Sequence, residues 1–205
     1  MKLIAAVLAG GAGTRFGGNK LVQSLGRRPL IAHALDAAAA APVEQLLLLA
    51  GSAEVAQAGR EWAASPRRPS LSVIDVDTVA EGLGGSLRTA ARSLRPEIDG
   101  LYVFLGDMPF IPAGIAARLA DMVDTGAPAS APIHNGRRGH PVLFSKSLFT
   151  ALQSLSGDRG ASALLDHAAL VDVADDGVLF DVDTPAALAV AERRLGQQQR
   201  PLPPL

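Results

Sequence analysis

Residues Leu3–Lys20 read LIAAVLAGGAGTRFGGNK, an apolar run that leads into a glycine-rich loop. The run Leu3–Ala9 does not alternate apolar and polar residues, which predicts a strand covered on both faces, as in a parallel sheet flanked by helices. The loop holds five glycines, and glycine lets successive backbone N–H groups converge on an anion. Arg15 and Lys20 add charge that suits phosphate. The stretch predicts a phosphate-binding loop; a glycine-rich connector without a ligand is the alternative.

Neither of the two common phosphate-binding loops fits this stretch. The dinucleotide fingerprint G-x-G-x-x-G fits as far as Gly13, but Phe16 stands at the position of its third glycine. The P-loop pattern fails because Asn19 separates the last glycine from Lys20, and Leu21 stands where a magnesium-binding hydroxyl is required. The loop therefore belongs to neither the dinucleotide-binding nor the P-loop class.

Composition excludes several classes of function. The chain has 205 residues, 19 basic and 20 acidic, and this balance argues against a general nucleic-acid binder. It has no cysteine, which excludes disulfides, thiolate catalysis and Cys-ligated zinc. The four histidines have no paired ligand spacing. The first apolar run ends at Ala9, too short for a membrane span and without the pattern of a signal peptide. We therefore expect a cytoplasmic protein with no nucleic-acid or membrane partner.

Helices and strands are predicted to alternate along the chain. The predicted order is a helix at 29–41, a strand at 45–50, a helix at 53–64, a strand at 71–74, a helix from 86, a strand at 99–105, a helix at 115–123, strands at 127–133 and 142–144, a helix at 147–155 and strands at 171–173 and 178–182. A last helix follows, with Thr184 as its predicted cap and Pro185 at its first position. This order is typical of an α/β fold, in which helices cover a mostly parallel sheet. We predict one domain at 1–196, a three-layer α/β/α sandwich with a mixed sheet, and a disordered Pro-rich tail at 197–205.

Acidic residues follow the predicted strands in two places. Asp107 leaves the strand at 99–105 in the sequence GDMPFIP. A carboxylate at the end of a buried strand needs a partner or a cation, and Mg²⁺ would satisfy it; capping of the next helix is the alternative. Asp181 and Asp183 alternate along the chain and are predicted to share one face of a strand. One of them is therefore a second candidate ligand for the same cation.

A second glycine-rich segment, EGLGGSL, follows the third strand. Gly82 and Gly85 precede a helix that Ser86 is predicted to start. The segment is either an ordinary loop with a helix cap or a wall against which a nucleotide base packs, since glycine lets a planar ring lie close to the backbone. Its position after a strand favours the second interpretation.

A third segment, GRRGHPVLF, follows the turn signal Asn135-Gly136. Arg138 and His140 are expected near this turn, either facing a substrate or in a solvated surface hairpin. Asp158 and Arg159 lie in a turn before a short predicted helix, where a cap or an internal ion pair is the structural alternative.

The pattern LAGG-x-G-x-R-x-GG-x-K, together with EGLGGSL, GDMP and GRRGHPVLF, resembles the small nucleotidyltransferases that attach a nucleotide to molybdopterin. The resemblance extends over about residues 3–195 and is strongest to the molybdenum cofactor cytidylyltransferase branch. It implies a Rossmann-like nucleotidyltransferase fold and a Mg²⁺-dependent enzyme. One feature departs from that branch, which more usually opens with LAAG; the LAGG of this chain is common in the guanylyltransferase branch.

The resemblance also implies roles for individual residues. Binding of the nucleotide is implied for Leu8, Ala9, Gly10, Gly11, Gly13, Thr14, Arg15, Lys20, Gly82, Gly85, Ser86 and Asp107. The catalytic residues are implied to be Arg15, Lys20 and Asp107, and the metal ligands Asp107 and Asp183. The residues implied to face the acceptor are Arg138, His140, Asp158 and Arg159.

The implied reaction needs no protein nucleophile. The terminal phosphate of molybdopterin attacks the α-phosphorus of CTP, and pyrophosphate leaves; the enzyme positions the reactants and stabilises charge. GTP is the alternative donor. The resemblance allows a molybdoenzyme or its chaperone as a protein partner. Two functions from other classes remain as alternatives, a nucleotide-cofactor oxidoreductase and a non-catalytic nucleotide-binding protein.

Overall fold

The strand formed by the opening apolar run, β1 (Leu3–Ala9), is an interior strand of an eight-stranded sheet. The computed structural model describes residues 1–10, 16, 19–76, 78–155 and 160–198. The strand order is β10-β7-β9-β6-β1-β4-β5, and β8 pairs with β7. The other strands of this sheet are β4 (Gln45–Ala50), β5 (Ser70–Asp75), β6 (Gly100–Leu105), β7 (Ala129–His134), β8 (Arg137–Arg138), β9 (Val142–Ser145) and β10 (Ala169–Asp172).

The sheet is mostly parallel, as predicted. Strand β1 runs parallel to β4 and β6, β4 is parallel to β5, and β7 is parallel to β10. Strand β9 is antiparallel to both β6 and β7, which makes the sheet mixed. The short strands β2 (Ser24–Leu25) and β3 (Arg28–Pro29) form a separate hairpin. The helices are α1 (Leu30–Ala39), α2 (Ala53–Ala63), α3 (Thr78–Arg92), α4 (Ile115–Asp124), α5 (Phe149–Gln153), α6 (Gly160–Ala163) and α7 (Pro185–Gln198).

Alternate residues of β1 enter two different apolar cores, one on each face of the sheet. Leu3, Ala5 and Val7 belong to a core that includes residues of α1, α2 and α4. Ile4 and Ala6 belong to a second core, built with residues of α3 and α5. The prediction that both faces of this strand are covered is confirmed, and it explains why the run shows no polar alternation. No helix in the described part of the chain has the length and apolarity that crossing a bilayer requires.

Two predicted elements differ in the structure. The predicted strand at 178–182 is wrong: residues 176–178 form a 3-10 turn, and the described residues that follow make no ladder. The reason is that this segment bonds to two different neighbours. Val178 accepts a hydrogen bond from the His140 amide (2.9 Å), whereas Val182 donates to the Asp107 carbonyl (3.0 Å). Because the backbone at 178–182 bonds to His140 at one end and to Asp107 at the other, it does not pair with a single neighbouring strand along its length.

The second difference is at EGLGGSL, where a loop was predicted before Ser86. Helix α3 already starts at Thr78 and is broken at Gly82, whose φ of 59° and ψ of −161° are not helical. This conformation is accessible to glycine at little cost and strained for other residues. The break divides α3 into two helical segments, and Ser86 lies four residues after it, near the start of the second segment.

Several local predictions at turns and helix ends are confirmed. Asn135 and Gly136 form the predicted turn, both with positive φ. Thr184 caps the last helix, since its hydroxyl accepts from the Ala187 amide at 3.1 Å. Helix α7 ends at Gln198, two residues beyond the boundary predicted at 196. The remainder of the predicted tail, 199–205, lies outside the described residues.

Gly177 should be intolerant of any side chain. A Cβ at this position would lie 1.9 Å from the Phe110 carbonyl oxygen, so Gly177→Ala must push two backbone segments apart. We expect a loss of about 2–3 kcal/mol in the free energy of unfolding, in the range of overpacked cores. Urea denaturation measures it. Gly196→Ala is the matched control: it lies in α7 with nothing within 4 Å of the added Cβ, and it should leave stability equal or raise it. Equal stability of the two variants would contradict the packing described here.

Candidate active site

A cavity of about 240 Å³ opens at the carboxyl end of β1. Ligands in open α/β sheets bind at this edge, beyond the ends of the strands. Four parts of the chain form its walls: the end of β1, the turn after the glycine-rich loop, the break in α3 and the end of β6. The residues that line it are Leu8, Ala9, Gly10, Lys20, Leu21, Gly82, Leu83, Ser86, Leu105 and Asp107.

Lys20 is the charged centre of this cavity. Its residue surface is only 8% exposed. Its ammonium donates hydrogen bonds to Asp107 Oδ2 at 2.7 Å and to Asp183 Oδ1 at 2.5 Å. Burial opposes the charge, but the hydrogen bonds and charges of the two carboxylates outweigh it and raise the pKa of Lys20 above its usual value. The ammonium is therefore charged at neutral pH and fixed between two acids.

The two carboxylates come from distant segments that the backbone ties together. Asp107 follows β6, and Asp183 precedes α7. The Val182 amide donates to the Asp107 carbonyl, which brings the segments together beside the side chains. Asp181 is adjacent but has another environment: burial and the charge of Asp183 raise its pKa. Of the pair Asp181 and Asp183, it is Asp183 that contacts Lys20.

The alternative that Asp107 caps the next helix is excluded, because Gly114 is the N-cap of α4.

The donor set suits a hard divalent cation. Asp107 and Asp183 each place a carboxylate oxygen within 2.7 Å of one nitrogen, so the two oxygens can reach one small ion. Mg²⁺ prefers such oxygens and is usually held by one or two carboxylates together with phosphates and water. Among the described residues, no group of three acidic or histidine side chains has the spacing of a metal cage. The two aspartates therefore fit a metal that a phosphate ligand completes.

The wall opposite Lys20 is mostly apolar. Gly82 breaks α3 there, and Leu83 follows it with 48% of its surface exposed. Ser86 is buried and lies one turn further along the helix. Asn19, which directly precedes Lys20, is bonded to the start of α2, since its Nδ2 donates to Ser52 Oγ at 2.7 Å. The cavity thus joins a charged end with an apolar end, as a nucleotide requires.

The comparison with protein families gives one match over most of the chain. The model of the MobA-like NTP transferase domain matches residues 5–173. The chain belongs to this family. The fold described above, with its mixed sheet and β1 between β6 and β4, is therefore that of a MobA-like NTP transferase domain.

Relatives with names and structures support the same family. The chain is 31% identical to the molybdenum cofactor cytidylyltransferase of Escherichia coli strain K12, over 61% of this chain and 64% of the relative. It is 28% identical to a probable molybdenum cofactor guanylyltransferase of Thermococcus gammatolerans, over 63% of this chain and 62% of the relative. The matched part thus spans less than two thirds of either protein.

A solved structure is similar over nearly its whole length. It is the complex of Rv0371c from Mycobacterium tuberculosis H37Rv with manganese. Its sequence is 26% identical to this chain, the TM-score is 0.74, and the match covers 94% of this chain and 99% of that one. The likeness shows that the arrangement of elements in this MobA-like domain extends beyond the matched residues 5–173.

Most of the predicted nucleotide-binding residues that the structure describes meet in this cavity. They are Leu8, Ala9, Gly10, Lys20, Gly82, Ser86 and Asp107. Gly85 is buried in α3 and does not line the cavity. Gly11, Gly13, Thr14 and Arg15 lie outside the described residues, so the roles predicted for them stay predictions.

The described residues that were predicted to face the acceptor do not line this cavity. Arg138 lies on β8, exposed, and donates to the Leu165 carbonyl at 3.0 Å. His140 is partly buried, with Nδ1 3.5 Å from the Val103 carbonyl. Burial lowers its pKa, although the charge of Asp107 acts in the opposite direction. His140 is therefore mostly neutral at pH 7 and lies close enough to Asp107 to feel its charge. Asp158 and Arg159 lie outside the described residues.

Three apolar residues of the cavity were missed by sequence reasoning. Leu83 lies within EGLGGSL, but the prediction for that segment depends on its glycines and Ser86. Leu21 and Leu105 come directly after the loop and at the end of β6. For Leu105 the available signal was its position at the carboxyl end of β6, whereas Leu21, twelve residues beyond the end of β1, has no such signal. Apolar residues at strand ends are so common that the sequence alone does not single them out.

Proposed function

We propose that this MobA-like domain is a Mg²⁺-dependent cytidylyltransferase that transfers a nucleotidyl group from CTP to the terminal phosphate of molybdopterin. The observation that carries the proposal is the Lys20 ammonium held between Asp107 and Asp183 in the cavity after β1. A fixed cation, two acids able to bind a metal and a glycine-lined strand end suit a triphosphate. The apolar part of the same cavity suits a base.

The proposed reaction proceeds by one displacement at phosphorus. An oxygen of the acceptor phosphate attacks the α-phosphorus of CTP and forms a new P–O bond. The bond from the α-phosphorus to the oxygen bridging to the β-phosphate breaks, and pyrophosphate leaves with the electron pair. No protein group enters the bond changes, so the residues position the reactants and stabilise charge. Asp107 and Asp183 would hold Mg²⁺, which would supply Lewis-acid stabilisation of phosphate oxygens.

Lys20 has the clearest role in this scheme. Its ammonium remains charged because the two carboxylates raise its pKa, so it can neutralise phosphate oxygens without a proton transfer. Arg15 is proposed as the second cation on sequence grounds. The backbone at Gly82 and the side chains of Leu83 and Ser86 are proposed to hold the base.

The comparisons support the parts of this proposal to different degrees. Family membership supports nucleotidyl transfer. The manganese complex of Rv0371c supports a divalent cation in this fold, and we propose Mg²⁺ in this chain. The names of both curated relatives support a molybdenum cofactor as the acceptor.

The identity of the base depends on a small number of positions. The relative at 31% identity is a cytidylyltransferase, and the one at 28% is a probable guanylyltransferase. Gly10 lines the cavity at the position where the cytidylyltransferase branch more usually has alanine. GTP is therefore the second candidate donor, favoured by this one residue.

Labelled nucleotides test the proposal directly. The full chain is incubated with molybdopterin, Mg²⁺ and either [α-³²P]CTP or [α-³²P]GTP, and the label in the pterin product is measured. We expect label from CTP and release of one pyrophosphate for each nucleotide transferred. Label from GTP alone would replace the first choice with the second. Nucleotide binding without pyrophosphate release in either case would favour a non-catalytic protein.

Leu83→Ala should weaken nucleotide binding. The side chain is half exposed at the cavity, so it is available to cover a base. Loss of its methyl and methylene contacts should raise the KM for CTP by about tenfold, the effect of roughly 1.4 kcal/mol of apolar contact, with a smaller change in kcat. Leu170→Ala is the matched control, because Leu170 is 49% exposed on β10 and does not line the cavity. Equal KM values for the two variants would remove Leu83 from the site.

A further inference from the structure

Arg194, in the last helix, connects three parts of the chain that surround the acids. It lies on α7 with its side chain 22% exposed. The guanidinium carbon lies 4.6 Å from the centroid of the Phe110 ring and 5.6 Å from that of Phe180. Its nitrogens donate to Asp175 at 2.8 Å and to Asp176 at 2.7 Å. One side chain therefore fixes two aromatic rings and two carboxylates.

The two rings belong to the segments that carry Asp107 and Asp183. Phe110 lies three residues after Asp107, and Phe180 lies three residues before Asp183. The rings meet edge to face, with centroids 5.4 Å apart and planes at 67°. Such pairs, and cations stacked on aromatic rings, stabilise a structure beyond the effect of the area they bury.

Backbone contacts also join the loop that carries Asp107 and Phe110 to the segment at 175–183, on either side of the two aromatic rings. At one end, the Val182 amide donates to the Asp107 carbonyl, directly beside the two acids. At the other, the backbone of Gly177 packs against the Phe110 carbonyl so closely that no Cβ fits. Asp175 Oδ1, which Arg194 binds, also accepts from the Gly177 amide at 2.8 Å. Arg194 therefore lies across the joint between the loop of Asp107 and the segment of Asp183.

We propose that Arg194 is a positioning residue that sets the spacing of the Asp107 and Asp183 carboxylates. It contacts neither carboxylate; it acts through Phe110 and Phe180. The inference rests on the metal-binding role given to the two acids in the proposed function. Groups that orient metal ligands typically contribute about 10- to 100-fold in metal affinity.

The direction of the change in cation affinity on Arg194→Ala distinguishes a positioning role from a purely electrostatic one. Arg194→Ala removes a positive charge, and this alone would leave cation binding equal or make it tighter. If Asp107 and Asp183 lose their spacing, by contrast, cation binding becomes weaker. Weaker cation binding by the variant therefore reports positioning.

Arg68 provides a matched control elsewhere in the fold. Its guanidinium carbon lies 4.6 Å from the centroid of the Trp62 ring, and it binds the carboxylate of Asp36. Arg68→Ala thus removes the same charge, one stacking contact and one ion pair, at the contact of α1 with α2. Asp36 retains its hydrogen bonds from Arg28 and the Trp62 indole.

The experiment is a titration of the full chain with Mn²⁺, with free Mn²⁺ followed by electron paramagnetic resonance, alongside thermal unfolding of each variant. We expect Arg194→Ala to bind Mn²⁺ about tenfold more weakly and Arg68→Ala to bind it as the parent does, while both unfold at lower temperature. Arg194→Lys, which retains the charge but not the planar stacking, should fall between Arg194→Ala and the parent, and it replaces Arg194→Ala if that variant does not fold.

The possible failures are distinguishable. If the parent binds Mn²⁺ and Arg194→Ala binds it equally well, Arg194 only fastens α7 and the inference is overturned. The same holds if Arg68→Ala weakens binding as much as Arg194→Ala. If the parent itself binds no Mn²⁺, the metal-binding role in the proposed function fails together with the inference.

Discussion

Asp107→Asn should reduce turnover by about a thousandfold or more. Loss of one group that stabilises developing charge typically costs 10²–10³ in kcat, and Asp107 has two such roles in our proposal. Its carboxylate binds the Lys20 ammonium at 2.7 Å, and it is the first proposed ligand of Mg²⁺. Asparagine retains the shape but loses the negative charge, so both contacts weaken together.

The fold should survive this change. The backbone contact of Asp107, in which its carbonyl accepts from the Val182 amide, does not depend on the side chain. The side chain is also partly exposed, so the new amide retains access to water. A rate assay of pyrophosphate release, with thermal unfolding as the check on folding, measures the effect.

Asp181→Asn is the matched control for this prediction. It removes a carboxylate two residues from Asp183 but none that contacts Lys20 in the described structure. We expect a loss much smaller than that of Asp107→Asn. If Asp107→Asn retained turnover within about tenfold of the parent, or if Asp181→Asn were the more damaging change, the metal assignment would be wrong.

Lys20→Met should have two effects of opposite sign. Turnover should fall by about 10²–10³-fold, because the ammonium that faces the phosphates is lost. Binding of Mn²⁺ without nucleotide should instead become about tenfold tighter. The reason is that Asp107 and Asp183 lose the cation that neutralises them, and two neighbouring carboxylates without a partner attract a divalent ion more strongly.

The same Mn²⁺ titration and rate assay measure both effects. Lys146→Met is the control, since it removes the same charge at a site where the ammonium donates to the Pro96 carbonyl. Both properties should be unchanged in it. Weaker Mn²⁺ binding by Lys20→Met would show that the lysine supports the metal rather than competes with it, contrary to the geometry described here.

The sheet and the position of the cavity could be predicted from local sequence. A short apolar run without alternation that ends in glycines, as in β1, predicts a buried strand, and a loop directly after such a strand is expected at the carboxyl edge of the sheet. Lys20 and Asp107 were predicted at that edge for the same reason. These inferences depend on residues that are near one another in the chain, where the physical rules are strongest.

The pairing that defines the site could not be predicted from the residues alone. Lys20 meets Asp107 and Asp183 across 87 and 163 positions of the chain, and this depends on how the loops pack. The pattern at 178–182 resembles a strand, but its hydrogen bonds go to two different loops. Arg194 in the last helix gave no signal at all, because its partners Phe110 and Phe180 are themselves distant in sequence.

A crystal structure with Mn²⁺ and a non-hydrolysable CTP analogue tests the central claim most directly. We expect one anomalous manganese peak bound by both Asp107 and Asp183, with the triphosphate beside Lys20 and the base against Gly82 and Leu83. A triphosphate bound elsewhere, or manganese bound by neither carboxylate while Lys20 still lies between them, would contradict it.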